Sequence, residues 1–414
     1  MVQIHPFKAI RPTDTLSEKI ATLPYDVLNS AEARELGKNN PYSYLHIDKA
    51  EIDLAESLSP YDDQVYAQAA ENLKDFLQKQ WLIQEGAPAL YLYELTMNGR
   101  AQTGLVTCTS IENYTDGKIK KHEFTRPEKE VDRIRHIEAC DANTSPIFLT
   151  YRAQSDIQQI MDTWKQEHAP VYDFVSFHEV AHKVWVIDDE ALIQKLVKTF
   201  DSEVPALYIA DGHHRTESAV KVGQKFKAAH PTIGDTEEVN FFLSVIFPKE
   251  ELEILDYNRV VNVPIPDDFF EQLEENFTFV ETNKGKPTQP KSFGLYLNSK
   301  WYTLTAKEHM LSDDPVAGLD VSLLQNHVFA EIFDIQDVRT DKRIDFVGGI
   351  RGMAELEKLV NSGQWTAAFA VYPTTMDDLL NVADAGKIMP PKSTWFEPKL
   401  LSGLFLHDLE TNSQ

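Results

Sequence analysis

The stretch LYIADGHHRTESAVK, residues 207–221, runs a short apolar segment into Asp-Gly-His-His-Arg and then straight into a helical pattern. Leu207 to Ala210 read as a strand, and the residues from near Thr216 as a helix. A strand that passes to a helix through a glycine turn points backbone N–H groups and the positive end of the helix dipole at one spot, which makes an anion site. Gly212 leaves out the side chain where a phosphate would approach. His213, His214 and Arg215 add donors, and an arginine can grip phosphate through a bidentate fork. Asp211 reads as a base or as a magnesium ligand beside those phosphates. The plainer reading makes Asp211 a helix cap and the histidines satisfied polar residues. Two histidines and an arginine at one cap favour function.

The rest of the chain repeats the alternation of strand and helix. Residues 62–82 have apolar side chains at helical spacing with no breaker. Asn98-Gly99 lies between two β-rich runs, the strongest short hairpin signal, and a second pair turns at Asn298-Ser299-Lys300. Helices at "DIQQIMDTWKQEH" and "DEALIQKLVKTFD" flank the strand "HKVWVID", and "NFFLSVIFP" is a further strand. The tail adds the helix "GMAELEKLVNSG", the strand "TAAFAVYP" and the helix "MDDLLNVADAG". The fold class is therefore α/β, with α+β possible, as a mixed sheet layered with helices. The linker-like "NKGKPTQPKS" (283–292) sets the domain boundary, giving 1–282 as the core and 283–414 as a C-terminal α/β region packed on it.

Composition narrows the function. The 414 residues are too many for one small core, and the 42% hydrophobic fraction is ordinary for a folded protein. No run is apolar for long enough to span a bilayer, and the N-terminal "MVQIHPFKAIRP" lacks the pattern of a secretory signal, so the expected compartment is the cytoplasm, with no membrane partner. Two cysteines without metal spacing fit that compartment. A net charge of −25 argues against a nucleic-acid partner, because phosphate backbones are bound by Lys and Arg releasing counterions. A homodimer is allowed for.

Against that acidity, "KIKKHEFTRPEKEVDRIRH" (118–136) is a local basic cluster. Lys121, Arg126 and Arg133 are candidates to neutralise a polyphosphate, with His122 and Glu123 among them as a candidate acid/base pair. From Pro127 the segment can be a solvated helix with its own ion pairs, which is an even alternative for that part. Three loops offer substrate contacts: Tyr25 and Asp26 in "LPYDVLN", Asn143 and Ser145 in "ACDANTSPIF", and Lys392 and Ser393 in "MPPKSTWFEPKLLSGL", where surface lysines are the plain reading. The sequence contains no GxxxxGK[ST], GxGxxG, HExxH or GxSxG, so the usual phosphate cradles and hydrolase elbows are absent.

"LPYDVLN", "NPYSYLHI", "KKHEFTRPEKEVDRIRH", "ANTSPIFL", "ADGHHR", "LDVSLLQNHVF" and "MPPKSTWFEPKLLSGL", in that order, resemble the bacterial domain of unknown function 1015 family over nearly the whole chain. The "DGHHR" element is similar to the phosphate-binding loop of the ParB/sulfiredoxin superfamily, which includes kinases of free serine. The resemblance implies a ParB/sulfiredoxin-like core with large additions. It also implies that Gly212, His213, His214 and Arg215 cradle donor phosphates, with Asp211 beside the reacting centre. The function it points to is a magnesium-dependent small-molecule kinase acting on L-serine with ATP or a related nucleotide. Two alternatives stand beside it: a phosphoserine phosphatase, and a non-catalytic nucleotide sensor or ParB-like regulator.

Overall fold

Asn98 and Gly99 turn the chain as their residue types demand. In the computed structural model, which describes residues 1–411, both stand in the left-handed region, at φ 53° and 79°. That geometry matches the twist of the flanking strands and pairs them antiparallel. They form the middle of a nine-stranded sheet. In chain order its strands are β1 (Ile4–His5), β2 (Leu90–Met97), β3 (Arg100–Ser110), β4 (Ile119–Lys120), β5 (Ile147–Tyr151), β6 (Tyr172–Val175), β7 (Ala181–Ile187), β8 (Leu207–Asp211) and β9 (Phe241–Pro248). Across the sheet they lie β4-β8-β5-β9-β3-β2-β7-β6, with β1 on the end of β3. The β4/β8 and β5/β9 pairs are parallel and the others antiparallel, so the sheet is mixed as expected.

Five helices matter around this sheet: α1 (Asp63–Gln78), α2 (Pro127–Cys140), α3 (Ser155–Glu167), α4 (Glu190–Glu203) and α5 (His213–Ala229). Asp62 and Asp189 cap α1 and α4 by accepting from Gln64 and Leu192 N–H at 3.0 and 2.8 Å. Ile157, Ile160, Met161 and Trp164 of α3, and Ile193, Leu196 and Phe200 of α4, share one apolar core with Leu92, Leu149, Leu207 and Ile209 of the strands. Because β8 is covered on both faces, Leu207 to Ala210 are all buried, and the strand reads as a continuous apolar run without alternation. The helix after it starts at His213, three residues earlier than Thr216, so both histidines and Arg215 form its first turn. The cause is Gly212, whose left-handed backbone at φ 94° turns the chain sharply enough for Thr216 N–H to reach the Gly212 carbonyl at 2.9 Å.

The chain divides into two compact units: Met1–Lys120, Phe124–Leu252 and the residues from Pro398 on, and then Lys121–Glu123 with Glu253–Glu397. The second unit carries the strands β10 (Tyr257–Val261), β11 (Phe277–Thr282), β12 (Ser292–Leu297), β13 (Lys300–Ala306), β14 (Ile344–Gly348) and β15 (Ala367–Val371) in one antiparallel sheet, ordered β11-β13-β12-β15-β10-β14. Its helices include α6 (Phe269–Asn276), α7 (Gly352–Asn361) and α8 (Met376–Asp384). The stretch 283–292, expected to separate 1–282 from 283–414, instead joins β11 to β12 within this sheet. Its glycine and prolines mark irregular backbone that is nonetheless packed: Gly285 lies so close to the Trp301 indole that a Cβ there would sit 2.2 Å from it. Among the described residues, no helix is long and apolar enough to cross a membrane.

The placement of α5 depends on Gly223, where a Cβ would meet the Val239 carbonyl oxygen at 2.7 Å and Ile111 Cδ1 at 2.9 Å. Alanine gains about 1 kcal/mol of helix propensity over glycine. Overpacking against backbone that cannot swing aside costs about 1–3 kcal/mol. Gly223→Ala is therefore expected to destabilise the protein by up to about 2 kcal/mol, read as a lower urea midpoint; a raised midpoint would show that α5 has slack here.

Candidate anion site at the β8–α5 turn

Gly212 is required twice at this turn. Its φ of 94° is open to glycine, and a Cβ there would lie 3.1–3.2 Å from the guanidinium of Arg215, which curls back beneath it. Arg215 is 8% exposed and donates through Nη1 to the Pro146 carbonyl. Its Nε is fully buried with no hydrogen-bond partner among the described residues, and no carboxylate of those residues forms an ion pair with it. Burial opposes its charge, but the negative field of Asp26 and Asp211, with Tyr25 and Asp48 beyond, outweighs burial and keeps it firmly protonated.

Asp211, at the end of β8, has both carboxylate oxygens committed. Oδ1 accepts from Gly212 N–H at 2.8 Å and Oδ2 accepts from the Lys399 ammonium at 3.0 Å. Burial would raise its pKa, yet Lys399 and Arg215, followed by His213, hold it well below the usual carboxylate range. With a donor on each oxygen, Asp211 is placed as an anchor for the backbone N–H and the ammonium. It does not fit as a magnesium ligand, since a divalent cation on Oδ2 would contend with the ammonium already there.

His213 is buried within the first turn of α5. His214 accepts at Nε2 from the Arg126 backbone N–H at 3.0 Å, which leaves the ring proton on Nδ1 and the imidazole neutral. Burial lowers its pKa; Asp26 and Glu130 oppose that shift, while Arg126 and Lys129 add to it. The Arg126 side chain itself is exposed.

Arg133 takes a different part from the expected phosphate ligand. On α2, 8% exposed, it bonds Asp132 Oδ2 through Nε at 2.9 Å and Asp48 Oδ1 through Nη1 at 3.4 Å, and its guanidinium lies 3.9 Å over the Tyr25 ring. Asp132 also accepts from Tyr66 O–H at 2.8 Å. Neutralised in this way, Arg133 fixes the loop that carries Tyr25 and Asp26. Asp26 is exposed, and its carboxylate makes no hydrogen bond or ion pair with any described residue, although its charge reaches both Arg215 and His214. Asn143, expected to contact substrate, is spent on structure: its Oδ1 accepts from Leu243 N–H and from His407 Nδ1, each at 3.1 Å. Ser145 lines an internal cavity of about 20 Å³ with Arg133, His136, Asn143, Thr144 and Arg215, room for one water.

The first unit thus gathers Tyr25, Asp26, Arg126, Arg133, Ser145 and Asp211 to Arg215 around one turn. It adds Asp48, and also Asp132 and Lys399, which lie within the quoted motifs without having been assigned to the site. Lys121, His122, Glu123, Lys392 and Ser393 belong to the second unit. There the His122 carbonyl accepts from Met389 N–H at 2.9 Å, and Ser393 Oγ donates to the Pro390 carbonyl at 2.6 Å. Lys392 stands at φ 58° with its ammonium 5.6 Å from the Tyr257 ring centre.

The sequence pattern of the family described as "Protein of unknown function (DUF1015)" matches residues 4–322. The chain belongs to this family. No curated protein matches it. Among solved structures, this DUF1015 chain is similar to SbnI with a C-terminal truncation from Staphylococcus aureus, at 12% identity, covering 75% of this chain and 90% of that one with a TM-score of 0.40. A free serine kinase in complex with AMP is 12% identical over 71% of this chain and 86% of its own, with a TM-score of 0.35. A conserved hypothetical protein from Pyrococcus furiosus is 14% identical over 74% and 96%, with a TM-score of 0.36.

The neutral His214 of this DUF1015 chain gives a signed pH effect. Below about pH 6.5 the unfolded chain takes up a proton at this position that the folded chain refuses until lower pH. Its contribution to stability is full above that pH and is lost as pH falls toward the lowered folded value. His214→Gln keeps an acceptor for Arg126 N–H and cannot titrate. Its stability relative to the parent is expected to improve between about pH 7 and about pH 5.5 in urea unfolding; a gap that stays constant would mean His214 titrates normally.

Proposed function

We propose that the protein binds the phosphates of a nucleotide at the β8–α5 turn and transfers a phosphoryl group to the hydroxyl of a small metabolite, with L-serine and ATP as substrates. The observation that carries this reading is Arg215: a buried guanidinium, without an ion pair among the described residues and with one N–H unpartnered there, packed under a glycine turn at the start of a 17-residue helix. A buried positive charge that carboxylates reach only through their field, beside backbone N–H groups at a helix N-terminus, suits a multiply charged oxyanion. The likeness of the Asp-Gly-His-His-Arg loop to that of free-serine kinases narrows the anion to a donor's phosphates.

In this reading Gly212 and the N–H groups of the first turn approach the phosphates, and Arg215 neutralises charge as it develops in transfer. Asp26 takes the hydroxyl proton, since Asp211 is committed on both oxygens and Asp26 is the exposed carboxylate whose field reaches the turn. Asp211, with a backbone N–H on one oxygen and an ammonium on the other, does not fit magnesium, so no step runs through the metal at that residue.

A mass-resolved assay tests the reaction. Serine with ATP is expected to yield phosphoserine, and phosphoserine alone to yield nothing. Phosphate released from phosphoserine without nucleotide would make the protein a phosphatase, and a melting shift with ATP without any product would make it a sensor. Arg215→Ala is expected to weaken ATP binding by about 1.5–3 kcal/mol, the usual worth of a hydrogen bond to a charged group. Asp26→Asn is expected to lower kcat roughly 10²–10⁴-fold with little change in nucleotide affinity. If Glu123→Gln produces that loss and Asp26→Asn does not, the proton acceptor is Glu123.

A further inference from the structure

The segment that follows Pro398 lies beyond the residues matched by the family pattern, yet it is built into the first unit as firmly as a core strand. Thr22 and Ser402 exchange backbone hydrogen bonds at 3.1 and 2.9 Å, Ile10 and Leu406 at 3.0 and 2.8 Å, and Leu409 N–H reaches the Asp141 carbonyl at 2.9 Å. Gly403, at φ 89°, lets this segment press on Tyr44, where a Cβ would fall 2.6 Å from the ring. Three residues before the first of these bridges stands Lys399, with 16% of its side chain exposed and its ammonium on Asp211 Oδ2.

We propose that Lys399 is an anion-binding residue of the β8–α5 turn and that Asp211 is the residue that positions it; this rests on the phosphate reading above. One carboxylate holds two donors, Gly212 N–H on one oxygen and the Lys399 ammonium on the other, so it sets the ammonium against the same glycine turn under which Arg215 lies. Lys399 and Arg215 place two cations at Asp211, and the start of α5 adds the positive end of its dipole. Stability alone is a weak reason for such a pair, because a largely buried ion pair often does no better than an apolar replacement. An arriving phosphate would meet cations from two directions, a backbone-anchored lysine and a helix-borne arginine. The C-terminal segment therefore completes the site.

The test is calorimetric titration of the full chain with ATP plus magnesium, and separately with inorganic phosphate, across a double-mutant cycle. Lys399→Met is expected to raise Kd about tenfold or more, and Lys399→Arg to recover most of that loss. Because Lys399→Met leaves Asp211 without its ammonium and can impair folding, the deciding protein is Asp211→Asn with Lys399→Met, which removes both members of the pair. If Lys399 binds the anion, this double variant stays as weak as Lys399→Met and its affinity falls less steeply with added salt. A double variant that binds like the parent would overturn the proposal, since Lys399 would then serve only as the partner of Asp211. Binding that is lost in Arg215→Ala but intact in the double variant would also overturn it while leaving the phosphate reading standing. A parent protein that binds neither probe would overturn both.

Discussion

A guanidinium buried beneath a glycine is the interaction on which the first unit's functional end depends. Placing the charge of Arg215 out of water costs several kcal/mol unless the surroundings answer it. The answer here comes from the Pro146 carbonyl and from the field of Asp26 and Asp211. Each of these fixes something else. The Pro146 carbonyl sets the entry into β5, Asp211 sets the end of β8, and the space Arg215 occupies forbids any side chain at position 212. The start of α5 follows, since only the left-handed backbone that glycine readily adopts lets Thr216 N–H close on Gly212 so soon.

Arg133 shows what an arginine from an equally basic stretch becomes when carboxylates are at hand. Asp132 and Asp48 neutralise it, Tyr25 receives its flat face, and Tyr66 holds the second oxygen of Asp132. It is thereby a tie between α1, α2 and the 23–28 loop, and its charge is no longer available to a ligand. Arg215 differs from it in its partners, and partners come from distant chain. That is why both could be named as phosphate ligands from sequence while the fold gives them different partners.

What could be read ahead follows the same division between local and distant causes. The Asn98-Gly99 hairpin, the apolar run of β8 and the helix over Asp63–Gln78 follow from turn chemistry, two-sided burial and spacing, all carried by neighbouring residues. The strand-to-helix turn at Gly212 was legible for the same reason, because glycine, arginine and the strand before them are contiguous. The commitments of its members were not. Asp48 and Lys399 reach the site from chain positions 85 and 188 residues away from the groups they bind, and Asp132 is a neighbour whose role only its second contact defines. The 283–292 stretch failed as a boundary because proline and glycine report backbone shape, and Gly285 shows that irregular backbone can still be packed.

Two carboxylates, Asp26 and Asp211, flank the turn, and electrostatics separates what each can do. A group that anchors an ammonium and caps a backbone N–H has to stay ionised, so the same contacts that make Asp211 a good anchor make it a poor base. A group that must accept a proton has to be reachable and uncommitted, which describes Asp26 on its exposed loop. Arg133, by gripping Tyr25, holds that loop without touching the acid itself. The division leaves this strand-to-helix turn with one carboxylate tied to an ammonium and a backbone N–H, and another that is exposed and makes no bond with any described residue.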